Sequence, residues 1–230
     1  MSQFFRIEVE PTGIIHLTFD VQGESVNTLQ AALIPEFAAL LSRWQSDTSI
    51  MGLIIDSAKS GNFIAGADIR EFGKPPVLPF LPDVCNRIEA CSKPVVAVIH
   101  GAALGGGLEI AMSAHYRLAL PGAKLGLPEV LLGLVPGAGG TQRAPRLMGV
   151  QAATSLMLSG QHLKAQAALQ AGLVDKLVEG ADAQAEGLAY VRELLTAKAP
   201  VRRTRDLAIA EPQAALAWLE EQKAETAKKA

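Results

Sequence analysis

The feature that most constrains the fold is a short apolar run that is followed closely by three consecutive glycines. Val95–Ile99 is almost entirely β-branched, which is typical of a strand buried on both faces. Glycines 105–107 stand where a new helix is expected to begin. A buried strand that leads into a helix is the repeating unit of α/β folds with mainly parallel connections. The sequence therefore predicts that class.

The same glycines predict a turn that can bind an anion. Glycine leaves backbone N–H groups uncovered, and a helix N-terminus adds unpaired donors and a partial positive charge. Such a turn can hold an oxygen that becomes negative during a reaction. Glu109 lies in the first turn of the expected helix, and Glu129 begins a later segment. Two carboxylates beside one such turn favour acid–base catalysis over surface decoration.

Composition limits the classes of protein to consider. The chain has 230 residues, 49% of them apolar, and a mean hydropathy of +0.23, enough for one sizeable core. A net charge of -2 with scattered Lys and Arg gives no basic field, so no nucleic acid partner is expected. No apolar stretch approaches a membrane span, and the N-terminus does not have the pattern of a signal peptide.

Two further expectations concern cellular location. Cys85 and Cys91 are predicted to point to different sides of one helix, which disfavours a disulfide and indicates a reducing compartment. We therefore expect a soluble protein of the cytoplasm, or of the peroxisomal matrix in a eukaryote, without a membrane partner.

Periodicity along the chain predicts alternating strands and helices. Strands are predicted at residues 4–10, 14–19, 51–55, 95–99, 116–120, 123–127 and 172–178. Helices are predicted at residues 29–44, 83–91, 106 onward, 139–148, 152–158, 165–171, 183–198 and 212–227. The first of these is capped by Asn27 or Thr28, or begins nearer Ala32 because Pro35 disfavours a helix interior. Residues 63–70 form an unusually apolar loop. We expect residues 1–200 to form one core and residues 201–230 a short C-terminal helical extension.

Three segments together resemble a known family. Residues 63–70, 101–117 and 126–143 are similar to the signature segments of the crotonase (enoyl-CoA hydratase/isomerase) superfamily. The resemblance is closest to the N-terminal hydratase/isomerase half of multifunctional β-oxidation enzymes, which continue into an NAD-dependent dehydrogenase half. It implies an α/β fold, a crotonase-like spiral of β-β-α turns with a C-terminal helical end. The implied ligand is an acyl-coenzyme A.

The resemblance assigns roles to five positions. Glu109 and Glu129 match the catalytic glutamates, which hold one water between them and serve C3 and C2 of the substrate respectively. The backbone N–H groups of Ala67 and Gly106 match the oxyanion hole that stabilises the thioester enolate. Gly137 matches a backbone N–H that steadies the water. The expected reaction is syn hydration of 2-trans-enoyl-CoA in fatty-acid β-oxidation, with Δ3-Δ2-enoyl-CoA isomerisation as a second activity.

The resemblance also bears on ligands and partners. Ala65, Asp68, Ile69 and Arg70 lie where the family holds the adenine end of coenzyme A. No cofactor is implied, since coenzyme A is part of the substrate, and no metal is expected. Expected partners are an acyl-CoA or enoyl-CoA thioester, together with either the missing dehydrogenase half or a second copy of the chain.

Other interpretations remain open from the residues. The fold could serve as a non-catalytic binding or assembly module, or catalyse another acyl-CoA reaction of the superfamily. The turn at residues 137–140 superficially resembles a dinucleotide-binding turn, but it lacks the third glycine and follows Pro136. His100 and His115 are expected to be structural, and Asp56 and Asp68 to cap turns.

Overall fold

The computed structural model describes residues 2–75, 77–180 and 182–227. The last three residues of the expected C-terminal extension lie outside that range. The strands are β1 (Phe5–Val9), β2 (Ile14–Phe19), β3 (Gly52–Ser57), β4 (Asn62–Ile64), β5 (Val95–Ile99), β6 (Ala102–Leu104), β7 (Tyr116–Ala119), β8 (Lys124–Gly126), β9 (His162–Lys164) and β10 (Lys176–Leu177). The α-helices are α1 (Leu33–Ser46), α2 (Leu81–Ala90), α3 (Gly106–Ser113), α4 (Gly140–Met148), α5 (Val150–Ser159), α6 (Ala165–Gln170), α7 (Ala183–Thr196) and α8 (Pro212–Ala227).

The larger sheet explains the apolar run at its centre. Its order is β1-β2-β3-β5-β7-β10, and every neighbouring pair is parallel except the β1-β2 hairpin. Val95, Ala97 and Ile99 pack into one core, whereas Val96 and Val98 pack into a second core beneath α7. Because both faces are covered, β5 is continuously apolar rather than alternating. The predicted class and the predicted hairpin are confirmed.

A second, four-stranded sheet has the order β4-β6-β8-β9. Its strands have three residues each, too few to show a period, so β6 and β9 were not predicted, and most of β4 was assigned to the loop at residues 63–70. The chain visits the larger sheet, then the smaller sheet, then a helix: β3-β4-α2, β5-β6-α3 and β7-β8-α4. This is the expected spiral of β-β-α turns.

The turns of the spiral stack closely at one glycine. Gly101 has a φ of +59°, and a Cβ built on it would lie 1.9 Å from the carbonyl group of Gly61. A side chain cannot fit there, so glycine allows β6 to lie directly beside β4.

The predicted boundaries need several corrections. Helix α1 begins at Leu33, with Pro35 in its first turn, where a missing N–H group is tolerated. Its N-cap is Ala32, so the prediction that Asn27 or Thr28 caps this helix is wrong. Strand β10 is confined to Lys176–Leu177 of the predicted 172–178. Within the described ranges, no helix is both long and apolar enough to cross a membrane.

Asp56 does not cap a turn as expected. It lies in β3 with no exposed surface, and neither carboxylate oxygen has a partner in good hydrogen-bond geometry among the described residues. Burial raises its pKa to about 6, although the nearby Thr18 hydroxyl and His16 ring oppose the shift. The native state therefore stabilises the protonated carboxyl group more than the unfolded state does.

Replacing Asp56 with Asn is expected to stabilise the protein at pH 8. Ionisation of Asp56 costs native stability progressively as pH rises from about 4 to about 6, because the folded-state pKa lies above the unfolded value. D56N should remove that cost and raise the free energy of unfolding by up to about 3 kcal/mol, with little change at pH 4. Urea unfolding at both pH values tests this, with the exposed D206N as control. Equal effects at the two pH values would contradict it.

Candidate active site

A largely apolar cleft of about 550 Å³ lies at the N-terminus of α3. Its walls come from four separate parts of the chain: the apolar loop after β4, the N-terminal turn of α2, the N-terminal turn of α3, and the segment after β8. Glu109 and Glu129 are its two acidic residues. A concave apolar site with a few convergent polar groups is the usual form of a small-molecule site. Seven of the nine predicted site residues line it: Ala65, Ala67, Ile69, Gly106, Glu109, Glu129 and Gly137.

Glu109 is held rigidly in this cleft. It lies in the first turn of α3 and is 2% exposed. Its Oε1 accepts hydrogen bonds from the backbone N–H groups of Ala138 and Gly140, each at 2.7 Å. Gly140 is the first residue of α4, so the positive end of a second helix faces this carboxylate. These two donors fix the side chain and, taken alone, favour its ionised form.

Glu129 is held less tightly. It lies in a short 3₁₀ turn, Pro128–Leu132, and is half-buried. Its Oε1 lies 3.3 Å from where a Cβ on Gly105 would stand, so the carboxyl group faces the glycine turn. Its Oε2 is buried without a hydrogen-bond partner in the described ranges. Because no described group holds that oxygen, it can carry a proton.

The environment raises the pKa of both glutamates. For Glu109, burial is the largest cause; the two backbone N–H groups oppose it, the charge of Glu129 adds to it and the charge of Arg143 opposes it. For Glu129, burial is the main cause. Two neighbouring carboxyl groups with raised pKa values can divide the roles of acid and base between them.

Two glycine turns meet backbone to backbone beside these carboxyl groups. Both Gly66 and Gly105 have positive φ, and a Cβ on Gly66 would lie 3.1 Å from the carbonyl oxygen of Leu104. The residues that follow, Ala67 and Gly106, both line the cleft. Neither amide donates a hydrogen bond to another group in the part of the chain that the structure describes. They are free to bind an oxygen of a ligand.

The loop that carries Ala67 is supported by the segment before α1. The Leu29 N–H donates to the Gly66 carbonyl at 2.8 Å, and the Ala65 N–H donates to the Asn27 carbonyl at 2.8 Å. Asn27 is fully buried, and its side chain bonds β2, β3 and β4. Asn27 thus supports the site, a role that the sequence analysis missed because the residue was assigned to a helix cap.

The residues expected near the adenine of coenzyme A separate into two pairs. Ala65 and Ile69 line the cleft, whereas Asp68 and Arg70 do not. Asp68 caps the 3₁₀ turn Ile69–Glu71, as predicted, by accepting from the Arg70 N–H at 3.0 Å. Its carboxylate also pairs with the Arg70 guanidinium at 2.7 Å, and this hydrogen bond lowers the Asp68 pKa. Binding of coenzyme A by these residues stays a prediction.

The sequence analysis missed the two backbone donors to Glu109. Ala138 and Gly140 belong to the turn that was weighed only as a dinucleotide site and set aside. The rule applied to Gly105, that glycines before a helix expose amides to an anion, also applies here. The anion in this case is a side chain of the protein itself. Gly137 lines the cleft next to these donors.

His100 and His115 do not line the cleft. His115 is buried, accepts from the Val95 N–H through Nδ1 at 3.0 Å and donates through Nε2 to the Glu89 carbonyl. Burial lowers its pKa to about 4, so it is neutral and structural, as predicted. His100 contacts the Lys59 carbonyl instead. Among the described residues, no group of His, Cys, Asp and Glu is arranged to hold a metal ion.

Comparisons with known proteins agree on one family. The family model for enoyl-CoA hydratase/isomerase matches residues 10–224. The chain is 45% identical over 193 residues to the fatty acid oxidation complex subunit alpha of Idiomarina loihiensis, which covers 76% of this chain and 26% of that protein. The identity to the same subunit of Shewanella baltica is 45% over 187 residues, or 77% of this chain and 26% of that one.

Solved structures give the same result for the fold. The crystal structure of an enoyl-CoA hydratase from Bacillus anthracis superimposes with a TM-score of 0.79 and 29% identity, covering 84% of this chain and 77% of that chain. The chain spans about a quarter of the length of the curated relatives that it matches.

Proposed function

The chain belongs to the enoyl-CoA hydratase/isomerase family, and from that premise we propose that it adds water across the C2–C3 double bond of a 2-trans-enoyl-CoA. One observation carries the proposal: two carboxyl groups with raised pKa values share a cleft with two backbone amides that have no acceptor among the described residues. Hydration of an unsaturated thioester needs this set of groups.

The amides of Ala67 and Gly106 are proposed to bind the thioester oxygen. As water attacks C3, the electrons of the double bond move toward that oxygen, which becomes an enolate oxygen. Two preorganised N–H donors stabilise this charge more than they stabilise the neutral ground state. Loss of one such donor in an acyl-transfer site costs about 3 to 4 kcal/mol of transition-state stabilisation.

The two glutamates are proposed to divide the proton transfers. Two amides hold Glu109, which suits an ionised base that takes a proton from water as the water oxygen bonds C3. Glu129 has an unpartnered oxygen in a half-buried position, which suits an acid that protonates C2 as the enolate collapses. Delivery of the water oxygen and the proton to the same face of the double bond gives syn addition. The Gly137 N–H is proposed to steady the water.

The apolar walls suit the acyl chain. Phe72, Phe80, Leu132, Leu134 and Val135 line the cleft, and each remains partly exposed. Such side chains gain from covering a hydrocarbon chain, since burial of apolar surface is favourable by about 25 cal/mol per Å². They support a fatty acyl substrate over a small polar one.

A second activity is favoured by the freedom of Glu129. A single carboxyl group beside an oxyanion hole can move a proton between C4 and C2, which converts a 3-enoyl-CoA to a 2-enoyl-CoA. Glu129 has the unpartnered oxygen that this shuttle requires. The names of the curated relatives support a place in fatty acid oxidation, where a dehydrogenase would consume the 3-hydroxyacyl product.

The proposal is tested by mixing the protein with crotonyl-CoA. The absorbance of the conjugated enoyl thioester should fall, and the product made in ¹⁸O-water should carry the label at C3. A non-catalytic binding module would bind the thioester without loss of absorbance, and that outcome would refute the hydratase assignment.

A further inference from the structure

A cluster of three charged residues, two of them buried, contacts the turn that holds Glu109. Arg143 of α4 is 5% exposed and Glu89 of α2 is 1% exposed, and their side chains pair at 3.0 Å. Arg205, from the 3₁₀ turn Thr204–Asp206, donates to the same Glu89 carboxylate through its backbone N–H at 2.8 Å and its Nε at 2.7 Å. Two arginines thus surround one carboxylate, and the cluster carries a net positive charge.

Arg143 reaches from this cluster to the turn that holds Glu109. Its Nη1 donates to the Ala138 carbonyl at 2.9 Å, and its Nη2 donates to Glu89 and to the Asn86 side chain. The Ala138 N–H in turn donates to Glu109 at 2.7 Å. Ala138 therefore links the two side chains: its carbonyl accepts a hydrogen bond from Arg143, and its N–H donates one to Glu109.

The backbone conformation of the turn fits this arginine. Gly139 has a φ of +103°, and a Cβ built on it would lie 2.2 Å from Nη1 of Arg143. The guanidinium fills the space that glycine leaves open. This close approach fixes where Ala138 and Gly140 present their N–H groups.

We propose that Arg143 is a positioning residue for Glu109, acting through the turn at residues 138–140, and that Glu89 holds Arg143 in place. The inference rests on the proposed function only in assigning Glu109 a catalytic role. A planar guanidinium can bind Glu89 and a backbone carbonyl at the same time, which a lysine ammonium does less well. Buried ion pairs contribute little net stability, which favours a role in fixing geometry.

Because Arg143 is charged, its role can be tested through the Glu109 pKa, which a purely packing role would not affect. That charge opposes the rise in the Glu109 pKa that burial causes. Removing it, and loosening the two N–H donors, should raise the Glu109 pKa further. The ionised form would then be lost at higher pH, so the acidic limb of the pH–rate profile should move upward.

The test is the R143M variant, with R146M as the matched control on the same helix. The only acceptor of the Arg146 side chain in the described ranges is the Gln142 carbonyl. Titration of ¹³C-labelled Glu carboxyl groups, with E109Q to assign the signal, reports the Glu109 pKa directly. For R143M we expect a rise of at least one unit, a kcat at least tenfold lower, and little change in KM. R146M should match the wild type.

Further outcomes separate the possibilities. If R143M does not fold, the R143M/E89Q pair removes both charges, and the same rise in the Glu109 pKa is expected. In the E109Q background, R143M should cause no further loss of kcat. An unchanged Glu109 titration in a folded variant would overturn the positioning role. Absence of hydration by the wild type would instead refute the proposed function, and the titration would still decide the role of Arg143.

Discussion

The E129Q variant is expected to hydrate crotonyl-CoA about 10²- to 10⁴-fold more slowly than the wild type, the range that one general acid–base group supplies. Glutamine keeps the size and shape of the side chain but cannot donate a proton to C2. The amides of Ala67 and Gly106, which we propose bind the thioester, are untouched, so KM should change little. Steady-state kinetics of enoyl absorbance loss measure both constants.

A matched control uses the same substitution at an exposed carboxylate. Glu193 lies on the exposed surface of α7, so E193Q should retain the wild-type rate. Near-normal turnover by E129Q, with the fold checked by circular dichroism, would remove Glu129 from the mechanism.

The E109Q variant is expected to separate the two reactions. Hydration should fall about 10²- to 10⁴-fold, because the water loses its base. Both backbone donors contact Oε1 alone, so the glutamine carbonyl can accept both hydrogen bonds and keep the cleft intact. Isomerisation of 3-enoyl-CoA, which needs one shuttling carboxyl group, should stay within about tenfold of the wild-type rate.

The measurement compares two substrates on one protein sample. Appearance of the conjugated band from a 3-enoyl-CoA reports isomerisation, and loss of the band from crotonyl-CoA reports hydration. If both activities disappear equally, Glu129 does not act alone and the assignment of isomerisation fails.

Sequence patterns predicted the strands, helices and turns whose structure is set by residues close together in the chain. The apolar run of β5 and the helical spacing of α1 and α7 identified a central strand of the larger sheet and two of the helices. The glycines before α3 marked the turn beside Glu109. These features are set by neighbours along the chain, so a pattern reveals them.

Local sequence patterns could not predict contacts between residues that are far apart in the sequence. The three-residue strands of the smaller sheet form because a neighbouring turn of the spiral offers hydrogen-bond partners, and no residue pattern encodes that neighbour. The pairing of Glu89 with Arg143 joins helices that are far apart in sequence. The burial of Asp56 likewise follows from the helix packed over β3.

The pairing of β6 with β4 has a consequence for how the cleft could change between members of the family. The loops carrying Ala67 and Gly106 leave from these two paired strands, whose separation is set by backbone hydrogen bonding at about 4.8 Å, whatever the side chains are. Peptide geometry therefore sets the spacing of the two loops that we propose bind the thioester. Substitutions in the cleft wall can then fit a longer, shorter or branched acyl group without changing the spacing of the two loops.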